Sequence, residues 1–190
     1  MKSKKERFLI IGAILLLLCT LSTTAFITDG VTTNNVLTFG RLRLELINHT
    51  LNENGEEVSV EQTEEKLTGN NVSRMIKVKN ICENPMYVRV KIDFKGEDKQ
   101  GTFSAGEYVS FENPNGSWGQ KDEWFYYGIP LEPGKETDNL LTELNFDLDR
   151  LMTDHPGSSI DFVVSVQAVQ TVHNGDTAME AKGWPQEAGK

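Results

Sequence analysis

The sequence predicts an all-β fold, an antiparallel two-sheet sandwich of jelly-roll type with a short C-terminal helical turn. Two observations carry this expectation. About eight short segments alternate apolar and polar residues with the period of two that marks a half-buried strand. Gly, Pro, Asn and Asp punctuate these segments, and helical periodicity is almost absent. Once an N-terminal targeting stretch is set aside, roughly 165 residues remain, a length that suits one domain with a buried core. There is no internal repeat and no sign of a second domain.

The targeting stretch is residues 1–25. Lys2, Lys4, Lys5 and Arg7 form a basic start, Phe8 to Leu21 is almost unbroken apolar sequence, and Ser22, Thr23, Thr24 and Ala25 supply a small-residue exit. That is the three-part anatomy of a secretory signal. A membrane anchor requires about 20 apolar residues, a length reached here only if Ser22 to Ile27 are counted, so cleavage is the expectation. A cut after Ala25 uses Thr23 and Ala25 as its small residues, and a cut after Thr24 uses Ser22 and Thr24. The mature chain therefore begins at Ala25 or Phe26. Cys19 follows Leu16, Leu17 and Leu18, whereas lipidation wants a small residue ahead of the cysteine; it reads as apolar filler.

Taken in order, Phe26 to Asn35 is polar, rich in Thr and Asn, and reads as a flexible lead-in. Val36 to Leu46 is the first strand, with Leu42, Leu44 and Leu46 alternating against Arg41, Arg43 and Glu45; Gly40 lies where the phase changes, at a candidate bulge. Asn54-Gly55 marks a tight hairpin turn, with a return strand over Val58 to Gln62. Val72 to Ile81 alternates again, Glu83-Asn84-Pro85 breaks it, and Met86 to Phe94 is the clearest strand of the first half, expected to have one core face and one face in water.

Gly96 to Asp122 reads as a polar excursion from the sheet with a short strand at Glu107 to Phe111. Trp124 to Ile129, Asn139 to Leu148 and Ile160 to Val172 are further strands, the last being the longest regular run. At the C-terminus, Thr177 to Glu180 fits a capping box, Gly183 closes a short helical turn, and Trp184 is expected to dock onto the sheet.

The whole chain carries a formal charge of -9, and because the signal holds four basic residues but one acidic residue, removing it leaves about -12. Such a surface repels nucleic acid and anionic lipid heads, so neither nucleic acid nor, after processing, a membrane is expected as partner. Processing also leaves Cys82 as the one cysteine, which excludes an intramolecular disulfide and reads as a small buried hydrophobe. The sequons at Asn48, Asn71 and Asn115 read as turn residues, and Glu56-Glu57 and Glu64-Glu65 as solvated turns.

Signs of catalysis are sparse. The three histidines, His49, His155 and His173, lie far apart, and the helix-borne zinc pair, the serine nucleophile elbow and the phosphate-binding glycine motifs are all missing. No cofactor and no catalytic activity are expected. Asp147, Asp149 and Asp154 form the best acidic cluster and a weak calcium candidate, set against a solvated loop; counting from Asp147, the place an EF-hand would give to glycine holds Met152. Trp118, Trp124, Phe125, Tyr126 and Tyr127 are rich enough in aromatic surface for a sugar platform, with core packing as the reading preferred.

Ala25-Phe-Ile-Thr-Asp-Gly, then Thr-Asn-Asn-Val-Leu-Thr-Phe-Gly, then Leu42-Arg-Leu-Glu-Leu46 resembles the start of the TasA/camelysin family of exported Gram-positive proteins. Val78-Lys-Asn80, Tyr87-Val-Arg-Val90, Gln167-Ala-Val-Gln170 and Asn174-Gly-Asp-Thr-Ala178 extend the resemblance along most of the mature chain. It implies processing by a dedicated SipW-type signal peptidase, and a jelly-roll subunit or accessory component of extracellular fibres in a biofilm matrix or on the cell surface of a Gram-positive bacterium. It also implies self-association, or association with related matrix proteins, by addition of an N-terminal donor strand to the next subunit. Carried onto this chain, the donor comprises Phe26, Ile27, Val31, Val36, Leu37 and Phe39. The family's metalloprotease label finds no motif here, and a monomeric ligand-binding module is the other alternative.

Overall fold

The computed structural model describes residues 26–30, 42–60, 64–114 and 116–185. The described residues fold as strands with one short α-helix. β1 (Phe26–Gly30) precedes β2 (Leu44–Leu51), which turns into β3 (Glu57–Ser59). β4 (Glu64–Lys66), β5 (Asn71–Ser73) and β6 (Met75–Asn80) lead to the long β7 (Met86–Asp98), which folds back on β8 (Gly101–Ser104). After a single 3-10 turn at Gly106–Tyr108 come β9 (Val109–Ser110), β10 (Trp118–Lys121), β11 (Trp124–Tyr127), β12 (Glu143–Phe146), the helix α1 (Leu148–Asp154) and β13 (Ser159–Gln170).

The largest sheet runs β10-β11-β7-β13-β1-β4, with β8 added to the far end of β7. Two three-stranded sheets, β5-β12-β9 and β3-β2-β6, complete the described architecture. Pairing is antiparallel throughout except between β1 and β13. β7 and β13 form the spine, aligned from Met86↔Gln170 to Glu97↔Ser159. Their shared period of two is why Val88, Val90 and Phe94 meet Ile160, Phe162, Val164 and Val166 in one buried cluster. Ile76 and Val78 of β6, Val72 of β5, and Leu144 and Phe146 of β12 enter the same cluster, so all three sheets share one core. The stack of Phe94 on Phe162, with centroids 5.5 Å apart, lies within it.

Local chemistry explains the turns. Asn54-Gly55 does sit in the β2–β3 hairpin, with Gly55 at φ +77°. The Asn52 side chain accepts hydrogen bonds from the Asn54 and Glu56 amides, and so holds the loop closed. Asn80 is fully buried yet satisfied: its Nδ2 donates to the Asn84 and Leu131 carbonyls, and its Oδ1 accepts from the Cys82 amide. It thereby fixes the break that Pro85 requires before β7 begins.

Several sequence expectations are corrected. Phe26–Gly30 is a paired strand, where a flexible lead-in was expected. The first core strand, expected to end at Leu46, continues to Leu51, so Asn48 lies in β2 and Asn71 in β5, outside turns. Glu57 and Glu64-Glu65 likewise belong to strands. The Gly96 to Asp122 stretch is not purely an excursion: it contributes the end of β7 together with β8, β9 and β10, with β9 falling inside the short strand expected at Glu107 to Phe111.

The α-helix follows β12 at Leu148–Asp154, inside what was expected to be the end of a strand and a loop. The C-terminal capping box yields a single turn, in which the Glu180 and Ala181 amides reach the Thr177 carbonyl. The helix wins locally because Asp147 accepts from the Arg150 amide as its N-cap, while Leu148 and Leu151 bury themselves one turn apart.

Candidate functional site

The two strands of interest are β1 and the strand it lies against. β1 pairs in parallel with the first five residues of β13, from Phe26↔Ser159 to Gly30↔Val163. On its other side it pairs antiparallel with the three residues of β4, from Phe26↔Lys66 to Thr28↔Glu64. Ile27 is in register with Ile160 and Asp29 with Phe162, both partners fully buried. The N-terminal end of the described chain therefore covers an edge of the spine strand. The β13 edge it covers is apolar on one face and would otherwise present unpaired backbone groups.

Of the donor residues named from the sequence, Phe26 and Ile27 lie in β1, while Val31, Val36, Leu37 and Phe39 lie outside the described residues. Thr23, Thr24 and Ala25 lie outside them too, and Phe26 is the first residue described.

Two of the three acidic candidates have other engagements. Asp147 caps α1, and Asp154 accepts from the Tyr108 hydroxyl at 3.1 Å and pairs with Arg150 at 3.6 Å. Arg150 also pairs with Glu107 and lies 4.9 Å over the Tyr108 ring. The Glu107 carboxylate raises the Arg150 pKa, and burial, followed by Asp154, raises that of the Tyr108 phenol. Among the described residues, no group of three His, Cys, Asp or Glu side chains is placed to hold a metal ion.

His155, next to Asp154 in sequence, has a partner that sequence reasoning missed. Its Nδ1 lies 2.8 Å from Oδ2 of Asp98, which comes from the end of β7 57 positions away. The imidazole stacks on Phe103 at 3.6 Å and meets the Tyr108 ring edge-on. Phe103 occupies the space over Gly96, where a Cβ would collide with its ring. The His155 contact, followed by the Gln100 and Gly101 amides, holds the Asp98 carboxyl below its ordinary pKa.

The aromatic run resolves mostly into packing. Trp118, Trp124, Tyr126 and Tyr127 are buried, and Phe125 packs against Phe111. On the outer face of the large sheet, the Arg89 guanidinium lies 4.1 Å from the Trp124 ring and 4.6 Å from the Trp184 ring. It donates to Gln167 Oε1 at 2.6 and 2.9 Å and to the Tyr126 hydroxyl at 3.1 Å. The Tyr87 hydroxyl donates to the Gly175 carbonyl, which ties the C-terminal tail to the same face. This face of Met86–Phe94 was expected to meet water; over Tyr87 and Arg89 it is covered. Trp184 docks as its position after the last strand suggested. Cys82 is partly buried, and its thiol donates to the Arg43 carbonyl and accepts from the Arg43 amide.

Comparison with protein-family models, curated proteins and solved structures finds no match to this chain.

Proposed function

We propose that this chain is a secreted structural protein, a subunit or accessory component of extracellular biofilm-matrix or surface fibres. It has no catalytic activity of its own. In this reading the three described sheets stack as the two layers of a jelly-roll sandwich, and copies, or related matrix proteins, join when the N-terminal strand of one adds to a sheet edge of the next. The address is the signal over residues 1–25, removed by a SipW-type peptidase, and the partner class follows from the TasA/camelysin resemblance.

The observation that carries the reading is β1 itself. It directly follows the segment proposed as signal, is five residues long, and is held in parallel on an edge of β13. A strand so short, placed at a chain end, is the element whose exchange between copies disturbs the core least. Exchange preserves its backbone hydrogen bonds while linking two molecules. Burial of four of the five aromatic residues leaves the carbohydrate-platform alternative little exposed ring surface.

Electron microscopy of the mature protein beside a variant lacking residues 26–35 tests the reading. Fibres from the first and none from the second are expected; equal fibres from both would remove the donor strand from the account.

A further inference from the structure

β13 gives the large sheet a direction. β1 flanks its start, at Ser159–Val163, and the strand then runs to Gln170 at the opposite pole, about 23 Å beyond Val163 at the usual strand rise. Three connections converge on that far pole: residues 81–85 before β7, residues 128–131 after β11, and the turn 171–174 after β13. They are tied together. Met86 and Leu131 exchange backbone hydrogen bonds of 3.1 and 2.8 Å, Asn80 Nδ2 reaches the carbonyls of both Asn84 and Leu131, and Met86 is aligned with Gln170.

Each connection carries one branched apolar side chain in solvent: Ile81 is 43% exposed, Ile129 61% and Val172 65%. A single exposed hydrophobe is ordinary, whereas three, one on each of these linked connections, place exposed apolar side chains around one pole of the sheet. Two of them are fixed in place by the backbone. His173 has φ +58°, a left-handed turn conformation that Gly or Asn adopts at far less cost, and Asn174 closes this turn onto Thr171 and Gln170, leaving Val172 outward. Ile129 precedes Pro130, which restricts it to extended backbone, and the adjacent Gly128 amide is anchored on the Ser117 carbonyl.

We propose that this pole, centred on Ile129 and Val172, docks a second copy of the chain at the pole from which its own β1 starts. The inference rests on the fibre reading and adds a second contact to it. A five-residue strand buries far less than the roughly 1,200–2,000 Å² of a stable interface, so strand exchange needs a companion surface. Because β1 and the apolar pole lie at opposite ends of β13, head-to-tail stacking brings unlike ends together, the arrangement that extends without closing. Exposed Glu83 and Glu132 rim the apolar pole, while the β7–β8 hairpin at the other pole exposes Lys95 and Lys99 beside Glu97.

The test compares assembly of the mature protein with that of I129S/V172S, using electron microscopy and sedimentation, with circular dichroism as a check of folding. Both side chains are exposed, so the double variant should fold as the parent does. Its critical concentration for fibres should rise about tenfold or more, the scale set by burial of two branched side chains. E83K/E132K reads the same contact through charge and should also weaken assembly. Unchanged critical concentrations in both variants, beside a parent that forms fibres, would overturn the docking pole and leave the fibre reading standing. A parent that forms no fibres at all would overturn both.

Discussion

The two flanks of β13 are built to different standards. On one side β7 pairs with it antiparallel along its full 12 residues, and the side chains of both strands interlock in the core. On the other side β1 covers five residues in parallel, backed by the three residues of β4. The first flank is fastened by ladder, core and outer face together, since Arg89 of β7 is gripped between Trp124 and Trp184. The contrast teaches where the fold resists change and where a strand can be traded: cooperative burial resists exchange, whereas a short terminal ladder does not.

The strongest way to break the β7 flank is Phe162→Ala. It removes a fully buried ring stacked on Phe94 and should cost about 3–5 kcal/mol in chemical denaturation. A loss below about 1 kcal/mol would mean that the spine is not the cooperative unit. Trp184→Ala releases one face of the Arg89 clamp and should cost about 1–2 kcal/mol, with altered tryptophan fluorescence as Trp124 becomes more exposed.

Removing residues 26–30 should cost less still, about 1 kcal/mol, because each ladder hydrogen bond is worth about 1 kcal/mol net and ordering each residue costs a similar amount. Thermal melting checks this, and global unfolding of the truncated chain would show that the β1 flank is structural rather than exchangeable.

The smallest effect concerns acid. Asp98 has a lowered pKa in the folded protein, so the unfolded chain binds its proton more readily. The stabilisation is complete above the ordinary value near 3.8 and is lost as pH falls through the lower folded value. Asp98→Asn should flatten the decline in melting temperature over that acid window, and His155→Gln, which removes the contact that lowers the Asp98 pKa most, should flatten it in part.

Much of the strand content was legible because half-buried strands write a period of two into their side chains. Met86 to Phe94 and Ile160 to Gln170 show this, as does the β2–β3 hairpin through Asn54-Gly55. The helix at Leu148–Asp154 was not legible, because its seven residues bury only Leu148 and Leu151, and Leu148 also continued the alternation of Leu144 and Phe146. The pairing of His155 with Asp98 left no local trace at all, since its two halves lie 57 positions apart.

By itself the sequence determined the all-β class and the place of most of the main strands, because each depends on local composition and periodicity. Only the tertiary structure decided that β1 joins β13 in parallel, that the second face of β7 is covered by the C-terminal tail, and that Ile81, Ile129 and Val172 gather at one pole. Those outcomes depend on contacts between distant segments, which are set by packing of the whole chain and carry no periodicity of their own.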